Sequence, residues 1–204
     1  FSADAFGRFG SLGRTANAPW APQARRYYYN IVGKYGAQVQ ALLKKASALE
    51  IETICPLHGP VLTGGALAEA LRLYDLWSRW QSEAPEEILL AHASIHGNTA
   101  RAAELLKQKL EVKGARVTLC DLTTTEVSYA VANAFYCGKL VLACSTYDGG
   151  LFPPMEEFLS HLQAKGFRDR SVGLMENGSW APAAARLMRA KLEEMKDLRV
   201  CGTV

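Results

Sequence analysis

The pattern of apolar and polar positions changes character near residue 82. Residues 1 to about 20 are rich in Gly, Ala and Pro without a helical period, which predicts a loop. From Pro22 to Leu49 the apolar positions Tyr28, Ile31, Val32, Tyr35, Val39, Leu42, Leu43, Ala46 and Leu49 carry the spacing of one long amphipathic helix. Glu52 to Cys55 reads as a brief strand that runs into the loop Pro56-Leu57-His58-Gly59-Pro60. A second helix is expected over Ala66 to Trp80, with Leu67, Leu71, Tyr74 and Trp77 on its apolar side. Ser82 to Glu87 is polar and contains Pro85, the composition of a linker.

Beyond that point strand-like and helical stretches alternate. Strands are expected at Ile88–Ala93, Ala115–Leu122, Lys139–Ser145, Ser171–Met175 and Leu198–Val204. Helices are expected at Thr99–Glu111, Thr125–Phe135, Pro154–Lys165 and Pro182–Met195. Strands that are apolar throughout and alternate with helices imply a parallel sheet covered on both faces. Right-handed crossovers leave the order 2-1-3-4-5 as the natural one for five strands. Its ligand crevice lies at the C-terminal ends of strands 1 and 3.

Three loops fall at that edge. Ser94-Ile95-His96-Gly97-Asn98-Thr99 joins a strand to a helix start, so backbone N–H groups together with Ser94, Asn98 and Thr99 make an anion site without a lysine. A helix capped by Ser, Asn or Thr is the plainer reading of this loop alone. It holds neither a Gly-Lys-Ser/Thr phosphate loop nor a GxGxxG fingerprint. Ser145-Thr146-Tyr147-Asp148-Gly149-Gly150 offers an aromatic face beside glycines that let a ligand come close. Glu176-Asn177-Gly178-Ser179-Trp180-Ala181-Pro182 carries a large apolar ring in a polar loop. A phosphate cradle and two aromatic loops at one sheet edge suit a mononucleotide with a flat ring system.

Composition and charge narrow the classes. Hydrophobic residues make up 49% and charged residues 21% of the 204, as in ordinary globular proteins. The net charge of +3, without a basic stripe, argues against nucleic-acid binding, and no apolar run is long enough to span a membrane. The five cysteines are widely spaced. Cys120, Cys144 and Cys201 lie in strand-like runs and are expected to be buried, reduced thiols of a cytoplasmic protein. The chain opens on Phe1 and closes inside a strand-like run, so a fragment of a longer protein is expected.

The motifs SxxGNT, STYDGGLFPP and ENGSWAP resemble the flavodoxin-like domain of flavodiiron proteins (A-type flavoproteins). Upstream, Ser2-Ala3-Asp4-Ala5-Phe6-Gly7, Arg26-Tyr27-Tyr28 through Gly33, and Cys55-Pro56-Leu57-His58-Gly59-Pro60 resemble the same family. The resemblance implies an α/β chain in two parts. Residues 1–82 would be the C-terminal part of a metallo-β-lactamase-like αβ/βα diiron domain. Residues 83–204 would be a flavodoxin-like domain with a five-stranded parallel sheet, lacking its last helix. It further implies FMN bound by Ser94, Ile95, His96, Gly97, Asn98 and Thr99 around the phosphate. Ser145, Thr146, Tyr147, Asp148 and Gly149 would contact the ring and ribityl chain, and Asn177, Gly178, Ser179 and Trp180 would close the other side. Asp4 would bridge two non-haem irons and His58 would bind one. The family's other iron ligands have no counterpart here. His92, His96 and His161 do not replace them, so this chain alone is expected to be inactive. The activity implied is oxygen or nitric oxide reduction. Electrons would come from a donor such as rubredoxin through FMN to iron, within a head-to-tail homodimer. The rival reading is a non-catalytic, FMN-binding electron-transfer module. A receiver-type signalling domain needs acidic residues where Ser94 and Ser145 stand.

Overall fold

The computed structural model describes residues 1–15 and 18–204. The chain divides into two compact units, Phe1–Gln81 and Ser82–Val204.

In the first unit, the expected opening loop contains a short helix, α1 (Leu12–Thr15), and at Ala16 and Asn17 that expectation lies outside the described residues. The long helix expected from Pro22 to Leu49 is broken. It consists of α2 (Trp20–Tyr27), a π-turn (Tyr28–Val32), a 3-10 turn (Gly33–Tyr35) and α3 (Gly36–Ala46). Packing explains the break. The widened π-turn carries both Tyr28 and Tyr29 inward, where they are fully buried beside Tyr74 and Trp77. A Cβ on Gly36 would lie 2.4 Å from the Ser78 carbonyl oxygen, so α3 begins where the backbone crosses the end of a neighbouring helix. The break also interrupts the apolar stripe. Val39 is buried, whereas Ile31, Leu42 and Leu49 are exposed. The expected strand is β1 (Thr53–Ile54), and it pairs antiparallel with an unforeseen β2 (Leu62–Thr63). Helix α4 (Gly64–Ser78) follows and buries Leu67, Leu73, Tyr74 and Trp77.

The second unit holds β3 (Ala84–Ala93), α5 (Asn98–Val112), β4 (Val117–Asp121), α6 (Val127–Tyr136), β5 (Cys137–Tyr147), β6 (Gly150–Leu151), α7 (Pro153–Ala164), β7 (Arg170–Asn177), α8 (Ala184–Glu193) and β8 (Leu198–Thr203). The parallel strands run in the order β4-β3-β5-β7-β8, which is the expected 2-1-3-4-5. One face packs Leu90 and Ala143 against Ala103 of α5. The alternate residues Leu89, Ala91, Leu140, Leu142, Val172 and Leu174 fill the other face and are almost wholly buried. His92 is buried as well. Its Nδ1 lies 3.9 Å from Asp121 Oδ1 and has no hydrogen-bond partner among the described residues.

Three expectations for the second unit need correction. The linker's second half is strand: Ala84 pairs with Cys137 across a bulge. Its polar residues are held by ion pairs, Glu86 to Lys139 at 2.6 Å and Glu87 to Arg116 at 3.2 Å. The loop after the third strand contains β6. Finally, Cys201 is exposed, because β8 is the outermost strand and lacks a neighbour on one side, whereas Cys120, Cys137 and Cys144 are buried.

Candidate functional site

At the C-terminal edge of the sheet, β3 ends in the loop that starts α5. Gly97 adopts the left-handed conformation (φ 86°) at the N-cap, and no side chain caps the helix. The Ser94 hydroxyl accepts the Gly97 N–H at 3.1 Å, which shapes the turn. The backbone N–H groups of Asn98, Thr99 and Ala100 therefore stand at the positive end of a 15-residue helix without intrahelical partners. Ile95, His96 and Asn98 are exposed around them. No lysine or arginine lies between Ser94 and Ala100, so main-chain dipoles supply the attraction for an anion.

Thr99 does not face solvent. Only 1% of it is exposed, and its Oγ1 lies 2.8 Å from Ser145 Oγ. Asn177 Nδ2 donates to the same oxygen at 3.4 Å. The Thr146 hydroxyl is also engaged: it accepts the N–H groups of Ala183 at 2.9 Å and Ala184 at 3.2 Å. Glu176 Oε2 accepts the Ala185 N–H at 3.0 Å. The α8 N-terminus is thus capped from neighbouring strands, whereas the α5 N-terminus has no side-chain cap.

The second loop is a tight hairpin. Tyr147 pairs with Gly150 across β5 and β6, leaving Asp148 (φ 48°) and Gly149 (φ 73°) as its two central residues. Positive φ at both is the geometry of a type I′ turn, for which Asp-Gly is a preferred pair. That dipeptide was the available signal for β6. The hairpin leaves Tyr147 about half exposed, its ring 5.7 Å from Phe152. In the third loop Gly178 packs close to Pro182, and Trp180 is 95% exposed. Ser179 is likewise exposed. A 220 Å³ cavity lined by Asn98, Thr99, Ala102, Met175, Glu176 and Asn177 adjoins the α5 start.

In the first unit, Asp4 and His58 come together: His58 Nε2 lies 3.4 Å from Asp4 Oδ1. Their loops are joined through the backbone. Ser2 N donates to Cys55 O, Leu57 N to Ala3 O at 3.0 Å, and Arg8 N to His58 O at 2.7 Å. Ala3 (φ 51°) and Phe6 (φ 64°) flank Asp4 in conformations that cost energy for residues with a Cβ. Both side chains line a 520 Å³ cleft with Arg8, Phe9, Tyr27 and Gly59. The Tyr27 ring stands beside this pair, its centroid 6.1 Å from that of His58. Burial, with the charge and hydrogen bond of Asp4 added, raises the Tyr27 phenol above its ordinary range. Carboxylate and imidazole are apt ligands for iron. Two donors do not make a diiron site, however, and among the described residues no group of three or more His, Cys, Asp or Glu could hold a metal ion. The residues present do not fit an iron pair in this chain by itself.

No protein-family model matches the chain. Among curated proteins it is 26% identical over 174 residues to diflavin flavoprotein A 3 of Synechocystis sp., covering 83% of this chain and 28% of that protein. Among solved structures, the flavodiiron protein of Giardia intestinalis superposes with a TM-score of 0.86 at 22% identity, over 98% of this chain and 53% of its own. Rubredoxin oxygen:oxidoreductase from Desulfovibrio gigas gives 0.88 at 19% identity, over 99% and 52%. The chain thus spans about half the length of these structures and less than a third of the Synechocystis protein. The motif resemblance holds: several of the curated relatives are named diflavin or flavodiiron proteins, and the α/β fold with its mostly parallel sheet is that of a flavodiiron protein over part of its length. Among the described residues no helix is long and apolar enough to cross a membrane.

Proposed function

We propose that this chain is the flavin-bearing part of a flavodiiron oxidoreductase and that its second unit binds FMN. The observation that carries the reading is the open α5 N-terminus, set at the same sheet edge as the exposed rings of Tyr147 and Trp180. The N–H groups of Asn98, Thr99 and Ala100 receive the phosphate, with Ser94, Ile95, His96 and Gly97 shaping its cradle. Tyr147, Asp148 and Gly149 with the backbone of Ser145 and Thr146 form one wall for the ring. Asn177, Gly178, Ser179 and Trp180 form the other. Bound flavin supplies one- and two-electron transfer, while the protein supplies orientation and a partly dry environment.

In the whole protein, Asp4 would bridge two irons and His58 would bind one, with the remaining ligands lying outside this sequence. Oxygen or nitric oxide is the proposed substrate and a rubredoxin-type protein the proposed donor. A head-to-tail homodimer in the cytoplasm is the proposed assembly. These rest on the motif resemblance; for the donor and for oxygen the name of the Desulfovibrio gigas protein adds support. A second reading, an FMN-dependent electron-transfer module without iron, is favoured by one observation: two metal-ligating side chains meet in the first unit where a diiron site needs more.

Titrating the purified chain with FMN, and separately with ferrous iron without oxygen, tests both. Quenched, protein-bound flavin with no stoichiometric iron is expected. Failure to retain FMN refutes the flavin site. Two irons per chain, lost in Asp4→Asn and His58→Ala, would overturn the view that the metal site is incomplete.

A further inference from the structure

Resting on the flavin reading above, we propose that Ser145 is a positioning residue for the flavin phosphate: its hydroxyl donates to Thr99 and, together with Asn177, turns the Thr99 proton toward the phosphate. Each of the three residues sits at the root of one loop. Ser145 and Asn177 are direct partners across β5 and β7, and Thr99 lies in the first turn of α5. Ser145 Oγ lies 2.8 Å from Thr99 Oγ1, and either oxygen could be the donor. Asn177 Nδ2 donates to the same Thr99 oxygen at 3.4 Å. A threonine hydroxyl has one proton and two acceptor sites. The amide fills one acceptor site, so the direction of the Ser145 contact decides what Thr99 has left. If Thr99 donated to Ser145, only an acceptor site would remain, and a phosphate oxygen cannot use it. If Ser145 donates, both acceptor sites are filled and the proton is free for an anion. A phosphate at the α5 N-terminus selects the second arrangement, because it is stabilised by donors alone. Thr99 lines the 220 Å³ cavity at the α5 start together with Asn98, whose N–H is one of the open main-chain donors. Thr99 is 1% and Ser145 7% exposed, so water competes little for the contact between them. Donation then runs from Ser145 to Thr99 to phosphate, and each bond polarises the next.

The choice of ligand separates this role from a merely structural one. Riboflavin lacks the phosphate, so an effect that runs through the Thr99 proton touches FMN and spares riboflavin. A role in holding the loops together touches both. The test titrates the chain with FMN and with riboflavin, following flavin fluorescence, in Ser145→Ala, Ser145→Thr, Thr99→Val and the double variant of Ser145→Ala with Thr99→Val. Thr99→Val removes the donor itself and is expected to weaken FMN about tenfold or more. Ser145→Ala is expected to weaken FMN about three- to tenfold and to leave riboflavin within about twofold of wild type. Ser145→Thr keeps the hydroxyl and restores FMN binding. The double variant is expected to fall within about twofold of Thr99→Val, because Ser145 acts only through Thr99. In Ser145→Ala the phosphorus NMR resonance of bound FMN moves while the flavin absorption bands stay in place. The proposal is overturned if Ser145→Ala weakens FMN and riboflavin alike, if it leaves FMN unchanged, or if its effect persists in full on the Thr99→Val background. Should Thr99→Val fail to fold, the ligand ratio in Ser145→Ala and its rescue by Ser145→Thr decide. A wild-type chain that binds neither flavin refutes the flavin reading and this proposal with it, a result distinct from failure of the positioning role.

Discussion

Arg170 offers a sharp test of what holds the sheet together at the end remote from the site. It opens β7 and is 5% exposed. Its Nε donates to Cys137 O at 3.0 Å and its Nη2 to Phe135 O at 3.1 Å, both in buried surroundings. Its Nη1 reaches the carbonyls of Arg168 and Asp169 at 3.0 and 3.2 Å. One guanidinium therefore satisfies the last turn of α6, the start of β5 and the turn before β7. Arg170→Met keeps much of the apolar volume and removes every donor. Hydrogen bonds to charged groups are worth about 1.5–3 kcal/mol each, so losing the two buried ones costs roughly 3–6 kcal/mol. That is a large share of the ~5–15 kcal/mol that holds a domain folded. Arg170→Lys is expected to recover only part of it, because a single ammonium cannot span the two carbonyls as the planar fork does. Hydrogen-exchange mass spectrometry on the full chain reads the effect locally, through peptides covering β5 and β7. FMN affinity should hold in whatever fraction stays folded, since Arg170 lies at the opposite end of β7. An opening free energy within about 1 kcal/mol of wild type would refute this reading of the buried guanidinium.

Burial lowers the pKa of His92 against the opposing pull of Asp121 and Glu104. Below the ordinary histidine value of about 6.5 the unfolded chain takes a proton that the native state resists, so stability falls with pH until the lowered value is passed. His92→Phe should show a smaller loss of urea midpoint from pH 7 to pH 5, and an equal loss would exclude His92 as the cause. Gly149→Ala forces a Cβ into a positive-φ turn position and should cost about 1 kcal/mol in thermal unfolding, with Gly150→Ala, outside that region, costing less. Equal costs would refute the hairpin assignment. Burial pushes the Cys144 thiol up to about 11. At Cys201 slight burial is outweighed by hydrogen bonds from Ser171 and Arg199 and by the Arg199 charge, which lower it. An alkylating reagent should modify Cys201 in the native chain and reach Cys144 only after unfolding, as peptide mapping would show.

The sequence by itself determined the alternation of strands and helices after residue 88 and the strand order. Both follow from short-range patterning joined to the fixed hand of crossover connections. It also pointed to the residues that meet at one sheet edge, because loops that end parallel strands share that edge whatever their detailed conformation. Asp4 and His58 became candidates through their motifs. Only the tertiary structure decided that the two meet at 3.4 Å, because the bonds joining their loops link residues fifty or more positions apart. Packing decided as well that a regular helical stripe is broken at Tyr28–Tyr35, where buried rings and a close backbone crossing override local propensity. The sequence placed the Thr99, Ser145 and Thr146 hydroxyls near a ligand, but it cannot say what each one bonds. A hydroxyl takes whichever partner the fold brings within about 3 Å, and for these three the partners come from other strands and helices.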